Sequence, residues 1–445
     1  QLVPNSYDIL YGVVDDGPNW PDNAAAVVFA DFDLSAPGNH VVDVPVSDIT
    51  LDVTLDSAVV SALNTGDLDE GAIVLQDPAT GDRINLNGIW DDGLDVPFTP
   101  YALQVVSGLY DVYYQVIDNG PNWPDNNNAK LDIQLDLTQD GGALVDVPVA
   151  NISLDILLDG AAISAANTGD FDEGSVVLRD RVTGDAINLN GVWDDGLDVP
   201  FTPYALQVVG GFYDAHYQVV DDGPNWPSNV DTRVLEDLDL TQDGPAIVDI
   251  PVTDVVLDVT LNGQPVSAAN TGDFDEGSIL IQDPVTLQQI NLNGVWDDGL
   301  DVSFAPYTLK LVSGQYDAYY RVVDDGPNWP SNTNRRLGPL DFSADGNYAI
   351  DVPSVGLCLE VTLGGAAVDA SNTGDFDEGS VVLVDPSTGD RIDLNGVWDD
   401  GLDVPFSPYN LQLVSGDYDV HYRVIDDGPN WPDNAETYLE QLTIP

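Results

Sequence analysis

Five copies of one phrase constrain this chain more than any other feature. Asp-Asp-Gly-Pro-Asn-Trp-Pro surrounds Trp20, Trp226, Trp329 and Trp431, and Asp118-Asn119-Gly120 opens the copy around Trp123. The tryptophans of successive copies are 103, 103, 103 and 102 residues apart. A fixed period of this length marks a single structural module copied in tandem, so the chain has to fold as an array and its function has to gain from repetition. Two more phrases keep the period. Asn64-Thr65-Gly66-Asp67-Leu68-Asp69-Glu70-Gly71 returns from Asn167, Asn270 and Asn372 with Phe in place of Leu68, and Asn87-Gly88-Ile89-Trp90-Asp91-Asp92-Gly93-Leu94-Asp95-Val96 returns from Asn190, Asn293 and Asn395.

Between the phrases the chain alternates apolar and polar residues over strand-sized runs. In the second repeat, Asn151-Ile-Ser-Leu-Asp-Ile-Leu-Leu is a strand ending at the Asp159-Gly160 turn. Ser175–Asp180 and Ala186–Asn190 form a hairpin around Thr183-Gly184. Tyr204–Val209 and Tyr213–Val220 are joined by Gly210-Gly211, with Tyr213, Ala215, Tyr217 and Val219 on one face. Val234–Leu240 and Ala246–Val252 follow, joined through Gln242-Asp243-Gly244. No segment has a helical period, and seven short strands per repeat predict an all-β fold: a tandem array of Ig-like or prealbumin-like β-sandwich modules forming an elongated rod. The expected boundaries are a partial module at 1–46 holding the last three strands, full modules at 47–150, 151–252 and 253–354, and a fourth at 355–445 lacking its final strand.

The central part of each repeat resembles the carboxypeptidase-regulatory-like (prealbumin-like) β-sandwich repeats of bacterial extracellular surface proteins. The residues that carry the resemblance are Leu261-Asn262-Gly263-Gln264-Pro265-Val266, Ser278–Ile281 and the run Tyr307–Tyr320. It implies a sandwich fold and a surface location. The chain departs from that pattern in the long Asn-Gly-Val-Trp-Asp-Asp-Gly-Leu-Asp-Val loop, where the family has a short Asp-Gly turn.

Composition removes several function classes. A formal net charge of −66 with 11 Lys+Arg leaves no basic surface to displace the counterions of nucleic acid, and an anionic membrane would repel the chain. The apolar runs are strand-sized, so membrane insertion is not expected. With one cysteine, Cys358, no disulfide can form within the chain, and Cys358 reads as an inert core residue of its strand. The chain starts at Gln1 and contains no methionine, which reads as a processed product or an excerpt of a longer polypeptide. Of the three histidines, His216 and His421 occupy equivalent strand positions facing away from the tyrosine stripe and read as solvated; His40 has no counterpart. No Ser-His-Asp or Cys-His set repeats, so no catalytic residue is assigned and an enzyme is not expected.

If successive strands run antiparallel, all three acidic phrases gather at one end of each module, against the base of the next. The first phrase supplies Asp15, Asp16, Asp118, Asp221, Asp222, Asp324, Asp325, Asp426 and Asp427. The second supplies Asn64, Asp67, Asp69, Glu70, Asn167, Asp170, Asp172, Glu173, Asn270, Asp273, Asp275, Glu276, Asn372, Asp375, Asp377 and Glu378. From the third come Asp91, Asp92, Asp95, Asp194, Asp195, Asp198, Asp297, Asp298, Asp301, Asp399, Asp400 and Asp403. Carboxylates so close together repel unless they are solvated or neutralised. Hard oxygen donors interrupted by glycine suit Ca²⁺, which takes 6–8 oxygen ligands, so several Ca²⁺ ions per chain are expected. The competing account is a halophilic surface, acidic throughout and without specific ions. Calcium is the fuller account because the phrases hold their spelling while the sixth strand drifts from Lys130-Leu-Asp-Ile-Gln-Leu-Asp to Arg336-Leu-Gly-Pro-Leu-Asp-Phe.

All nine tryptophans, Trp20, Trp90, Trp123, Trp193, Trp226, Trp296, Trp329, Trp398 and Trp431, lie in the first or third phrase. Exposed in rigid Gly-Pro-Asn-Trp-Pro loops they would stack on sugar rings; packed into the seams between modules they would be buried, where large aromatics contribute most. The seam is the favoured reading. The incomplete first and last modules expose what a sandwich must bury, either because the chain is a window on more of the same repeats or because copies join end to end by strand addition. The leading expectation is therefore an extracellular structural protein, a calcium-stabilised filament subunit or adhesin stalk whose partner is itself. A calcium-dependent array binding polysaccharide multivalently is the alternative.

Overall fold

The computed structural model describes residues 5–14, 20–35, 38–60, 70–86, 100–118, 122–163, 173–189, 203–221, 223–266, 276–292, 306–324, 328–368, 378–394, 408–426, 429 and 431–445. Every regular element among them is a β-strand. The chain divides into two compact units, residues 1–168, 175–216 and 233–250, and residues 169–174, 217–232 and 251–445.

The second repeat places strands at Val149–Leu158, Glu173–Asp180, Ala186–Asn188, Tyr204–Val209, Phe212–Asp221, Thr232–Asp239 and Gly244–Ile250, with the short strand Ala161–Ala162 after the first. Each of the seven strands read from the alternation is present. The first is central in its sheet. It pairs antiparallel with Tyr204–Val209 and parallel with Gly244–Ile250, while Ala161–Ala162 folds back on its end. The first repeat builds the same sheet from Val46–Leu55, Tyr101–Val106 and Gly141–Val147. The third builds it from Val252–Leu261, Tyr307–Val312 and Gly346–Val352. The last strand of one repeat passes into the first strand of the next through a single proline, Pro148 or Pro251. In the fourth repeat, Ser354–Leu359 pairs with Tyr409–Val414, and its other edge carries no strand among the described residues.

The opposing sheet has four strands. In the first repeat their order is Arg83–Asn85, Glu70–Gln76, Leu109–Asp118, Ala129–Asp136, and the third and fourth repeats copy it. Strand alternation explains the core, because every second side chain turns to the facing sheet. Ile49, Leu51 and Val53 from one sheet meet Ile73, Leu75, Tyr110 and Tyr114 from the other, with Val145 and Val147 beside them. The third repeat does the same with Val255, Leu257, Ile279, Ile281, Tyr316 and Tyr320.

The closing strand also holds the first turn. Asp146 accepts hydrogen bonds from the Ser57 amide at 2.7 Å and from the Thr54 hydroxyl at 2.7 Å. Asp249 accepts from the Gly160 amide at 2.8 Å, and Asp351 from the Gly263 amide at 2.7 Å. The turns so held contain left-handed residues, Ser57 at φ 64° and Asn262 at φ 53°, a conformation that costs energy away from glycine and needs such support.

Two single-residue expectations change. Cys358 is exposed, because Val355, Leu357 and Leu359 take the inward phase of their strand and leave Cys358 on the outer one. His216 does face away from the tyrosine stripe, but at 8% exposure it is buried, not solvated.

Candidate functional site at the module boundary

The register brings two of the three acidic phrases together. Glu70 lies opposite Asp118, Glu276 opposite Asp324 and Glu378 opposite Asp426, each with a bulge before the following glycine. The Glu position that ends the second phrase is thus in register with the Asp position that opens the first, and like charges at paired positions destabilise a strand pair. In the second repeat, Glu173 is half-buried and Asp221 exposed. The other expected calcium ligands, at 15–16, 64–69, 91–95, 167–172, 194–198, 222, 270–275, 297–301, 325, 372–377, 399–403 and 427, lie outside the described residues, as do Trp90, Trp193, Trp296 and Trp398. Among the described residues no group of three or more His, Cys, Asp or Glu is placed to hold a metal ion.

The tryptophans of the first phrase have a different place from the one expected. Trp123, Trp226 and Trp329 are fully buried and Trp431 nearly so, each inside its own repeat rather than in a seam or open to a sugar. Trp123 stacks on Tyr114 with ring centroids 6.0 Å apart and planes 9° apart; Tyr217–Trp226, Tyr320–Trp329 and Tyr422–Trp431 repeat that geometry at 5.9 Å. Each tyrosine hydroxyl donates to the proline carbonyl after the tryptophan, as Tyr114 does to Pro124 at 2.8 Å. The glycine that ends the second phrase lies directly against this stacked pair. A Cβ added at Gly277 would stand 2.5 Å from Trp329 Cε3 and 2.7 Å from Tyr320 Cε2, and Gly71, Gly174 and Gly379 meet their tryptophans in the same way. That glycine is therefore fixed by packing. Trp20 is the exception at 60% exposure.

What crosses the boundary is the asparagine three residues beyond the tryptophan. Asn126 Nδ2 donates to the Tyr213 hydroxyl at 3.0 Å, and its Oδ1 accepts the Val209 amide at 2.7 Å. Tyr213 in turn donates to the Val209 carbonyl at 2.6 Å, and the Asp125 amide donates to the Gln207 carbonyl at 2.7 Å. The set recurs three times. Asn23 engages Tyr110 and Val106, Asn229 engages Tyr316 and Val312, and Asn332 engages Tyr418 and Val414, at 2.7–2.9 Å. All four asparagines are buried and use both ends of the amide, which is how a buried polar side chain escapes its desolvation cost. The loop before the sixth strand of one repeat thus seats on the turn between the fourth and fifth strands of the next. The lock itself was missed in the sequence, although Trp-Pro-Asp/Ser-Asn in every copy spells it.

Burial sets the electrostatics of these contacts. It raises the Tyr110 hydroxyl to about 12, against a lowering by the Asn23 bond, and raises Tyr213 and Tyr316 as well, so all three stay protonated donors. At the Asn126 boundary, burial pushes the Asp125 carboxyl up to about 6, only partly offset by the Gln207 amide, which reaches it at 3.4 Å. Ser228 and Ser331 take the place of Asp125 at the following boundaries.

No family model matches the chain, and no curated protein matches it. Among solved structures, the Bacillus anthracis TIE protein is 12% identical over 69% of this chain and 51% of its own, with a TM-score of 0.16. A Streptococcal ancillary pilin is 11% identical over 68% of this chain and 99% of its own, at 0.19. A putative adhesin from Bacteroides ovatus is 10% identical over 50% of this chain and 92% of its own, at 0.20. At such scores the functional reading rests on this chain's own residues.

Proposed function

We propose that the chain is an extracellular structural protein, a calcium-stabilised β-sandwich rod that serves as a filament subunit or adhesin stalk. The observation that carries this reading is the asparagine–tyrosine lock, made with the same atoms at four boundaries. A buried lock repeated from module to module suits a structural spacer better than it suits catalysis. Calcium is supported by the opposed Glu and Asp positions at three module ends, where a divalent cation would relieve the repulsion. End-to-end growth by strand addition, with the chain as its own partner, would extend the same array. The polysaccharide alternative loses its stacking platform at Trp123, Trp226, Trp329 and Trp431, whose faces are covered.

The test is scattering and thermal unfolding of the chain in excess chelator, in millimolar Ca²⁺, and in molar NaCl with chelator. An elongated particle whose melting temperature rises with Ca²⁺ and not with NaCl is the expected result, because a ligand bound only by the folded state stabilises by mass action. An equal rise with NaCl alone would reduce the acidic loops to a screened halophilic surface, and a compact particle would end the rod.

A further inference from the structure

Asn151-Ile152-Ser153 is the only Asn-x-Ser/Thr triplet in the chain, the acceptor pattern for N-linked glycan transfer to secreted proteins. The triplet lies on the central strand Val149–Leu158. Alternation buries Ile152 in the core there and turns Asn151 and Ser153 together onto the exposed outer face. The pattern belongs to one repeat and not to the period, since the equivalent triplets are Asp48-Ile49-Thr50, Asp254-Val255-Val256 and Gly356-Leu357-Cys358.

The surroundings leave the amide available. Asn151 is held in register by its backbone, whose amide donates to Asp243 at 2.8 Å, while its Nδ2 reaches the same carboxylate at 3.4 Å, near the outer limit of a hydrogen bond. Its Oδ1 accepts from Gln207 Nε2 at 3.2 Å. On the neighbouring strand Pro245 stands opposite Ser153 and Ile247 opposite Asp155; Ile247 is 57% exposed, an apolar side chain next to the proline on the outer face. A sugar attached at Asn151 would lie along that strip, its C–H face over the proline and isoleucine.

We propose that Asn151 is a glycan attachment site, an inference that rests on the extracellular reading above. The donor is a lipid-linked glycosyl phosphate, the acceptor is Asn151 Nδ2, and a cellular transferase brings them together. The amide nitrogen forms a bond to the anomeric carbon, the carbon–oxygen bond to phosphate breaks, and the lipid phosphate leaves with the electron pair. Nδ2 gives up one of its two protons to a basic group of the transferase and from there to solvent, and nothing is oxidised or reduced.

The test is mass spectrometry of the tryptic peptide Leu131–Arg179 from chain purified from the producing cell, with protease shaving of intact cells reporting surface location separately. The expected result is a series of hexose-sized additions on this peptide, absent in N151Q and in S153A but retained in S153T. The last two keep Asn151 and separate loss of the acceptor pattern from misfolding. Surface-exposed chain with this peptide at its unmodified mass, or with glycan that persists in S153A, overturns the assignment while leaving the surface reading in place. Chain found only inside the cell overturns both.

Discussion

Replacing Asp125 by serine should strengthen the boundary it occupies, and the gain should depend on pH in a defined direction. Burial raises this carboxyl from 3.8 to about 6, so its ionised form is the one the folded state disfavours. A folded-state pKa above the unfolded value means that the protonated group's contribution is fully present below about pH 3.8 and is lost as pH rises through about 6. At pH 7.5 the carboxylate therefore destabilises the boundary. A shift of about two pH units corresponds to at most ~3 kcal/mol, and roughly half of that once water reaches its exposed part. Serine occupies the same place at two other boundaries, where the Ser228 and Ser331 amides bond to Lys310 and Gln412 carbonyls at 2.8 Å, so D125S should fit without rearrangement. The assay is urea unfolding of wild type and variant from pH 3.5 to 8, joined with hydrogen exchange at the Val209 amide. Taking the difference cancels the titration of the other carboxylates. D125S should be more stable by on the order of 1–2 kcal/mol at pH 7.5, with the gap closing below pH 4. A gap of constant size across that range, or one that widens in acid, would refute the reasoning.

Two further outcomes follow from the packing. G277A should cost roughly 3 kcal/mol, because its Cβ would enter the space of Trp329 and Tyr320 in a core that has little room to shift; urea unfolding with tryptophan emission as the probe should show a lowered midpoint, and an unchanged midpoint would mean that the indole is not seated on the glycine. Cys358, being exposed, should react stoichiometrically with a thiol reagent in the native chain, whereas reaction only after denaturation would return it to the core.

The strands were legible because each is a local pattern. Alternation and Gly or Asp-Gly turns are spelled within ten residues, and the sandwich follows from the period of two. The errors lie where the answer depends on distant residues or on phase. The burial of Trp226 needs Gly174, a residue that reads as a loop glycine until strand pairing brings it under the indole. The Asn126–Tyr213 contact spans 87 positions and joins two repeats, so no window along the chain contains it. Cys358 was assigned to the right strand on the wrong face, the one-residue slip to which a two-residue period is prone. The persistence of the second acidic phrase now has a source in packing, since its final glycine lies against the buried indole.

The parallel pairing of first and last strands has a mechanical consequence. In the third repeat, Val255–Leu261 runs beside Gly346–Val352 in seven consecutive pairs, and the chain enters through the former and leaves through the latter. Tension applied along the chain pulls these two strands past each other lengthwise, so the hydrogen bonds of the ladder are strained together and do not open one at a time. A repeat connected in this way resists stretching with its whole ladder. Failure under load should then come abruptly, one repeat after another, so that the array holds its length until a threshold force and then yields in steps.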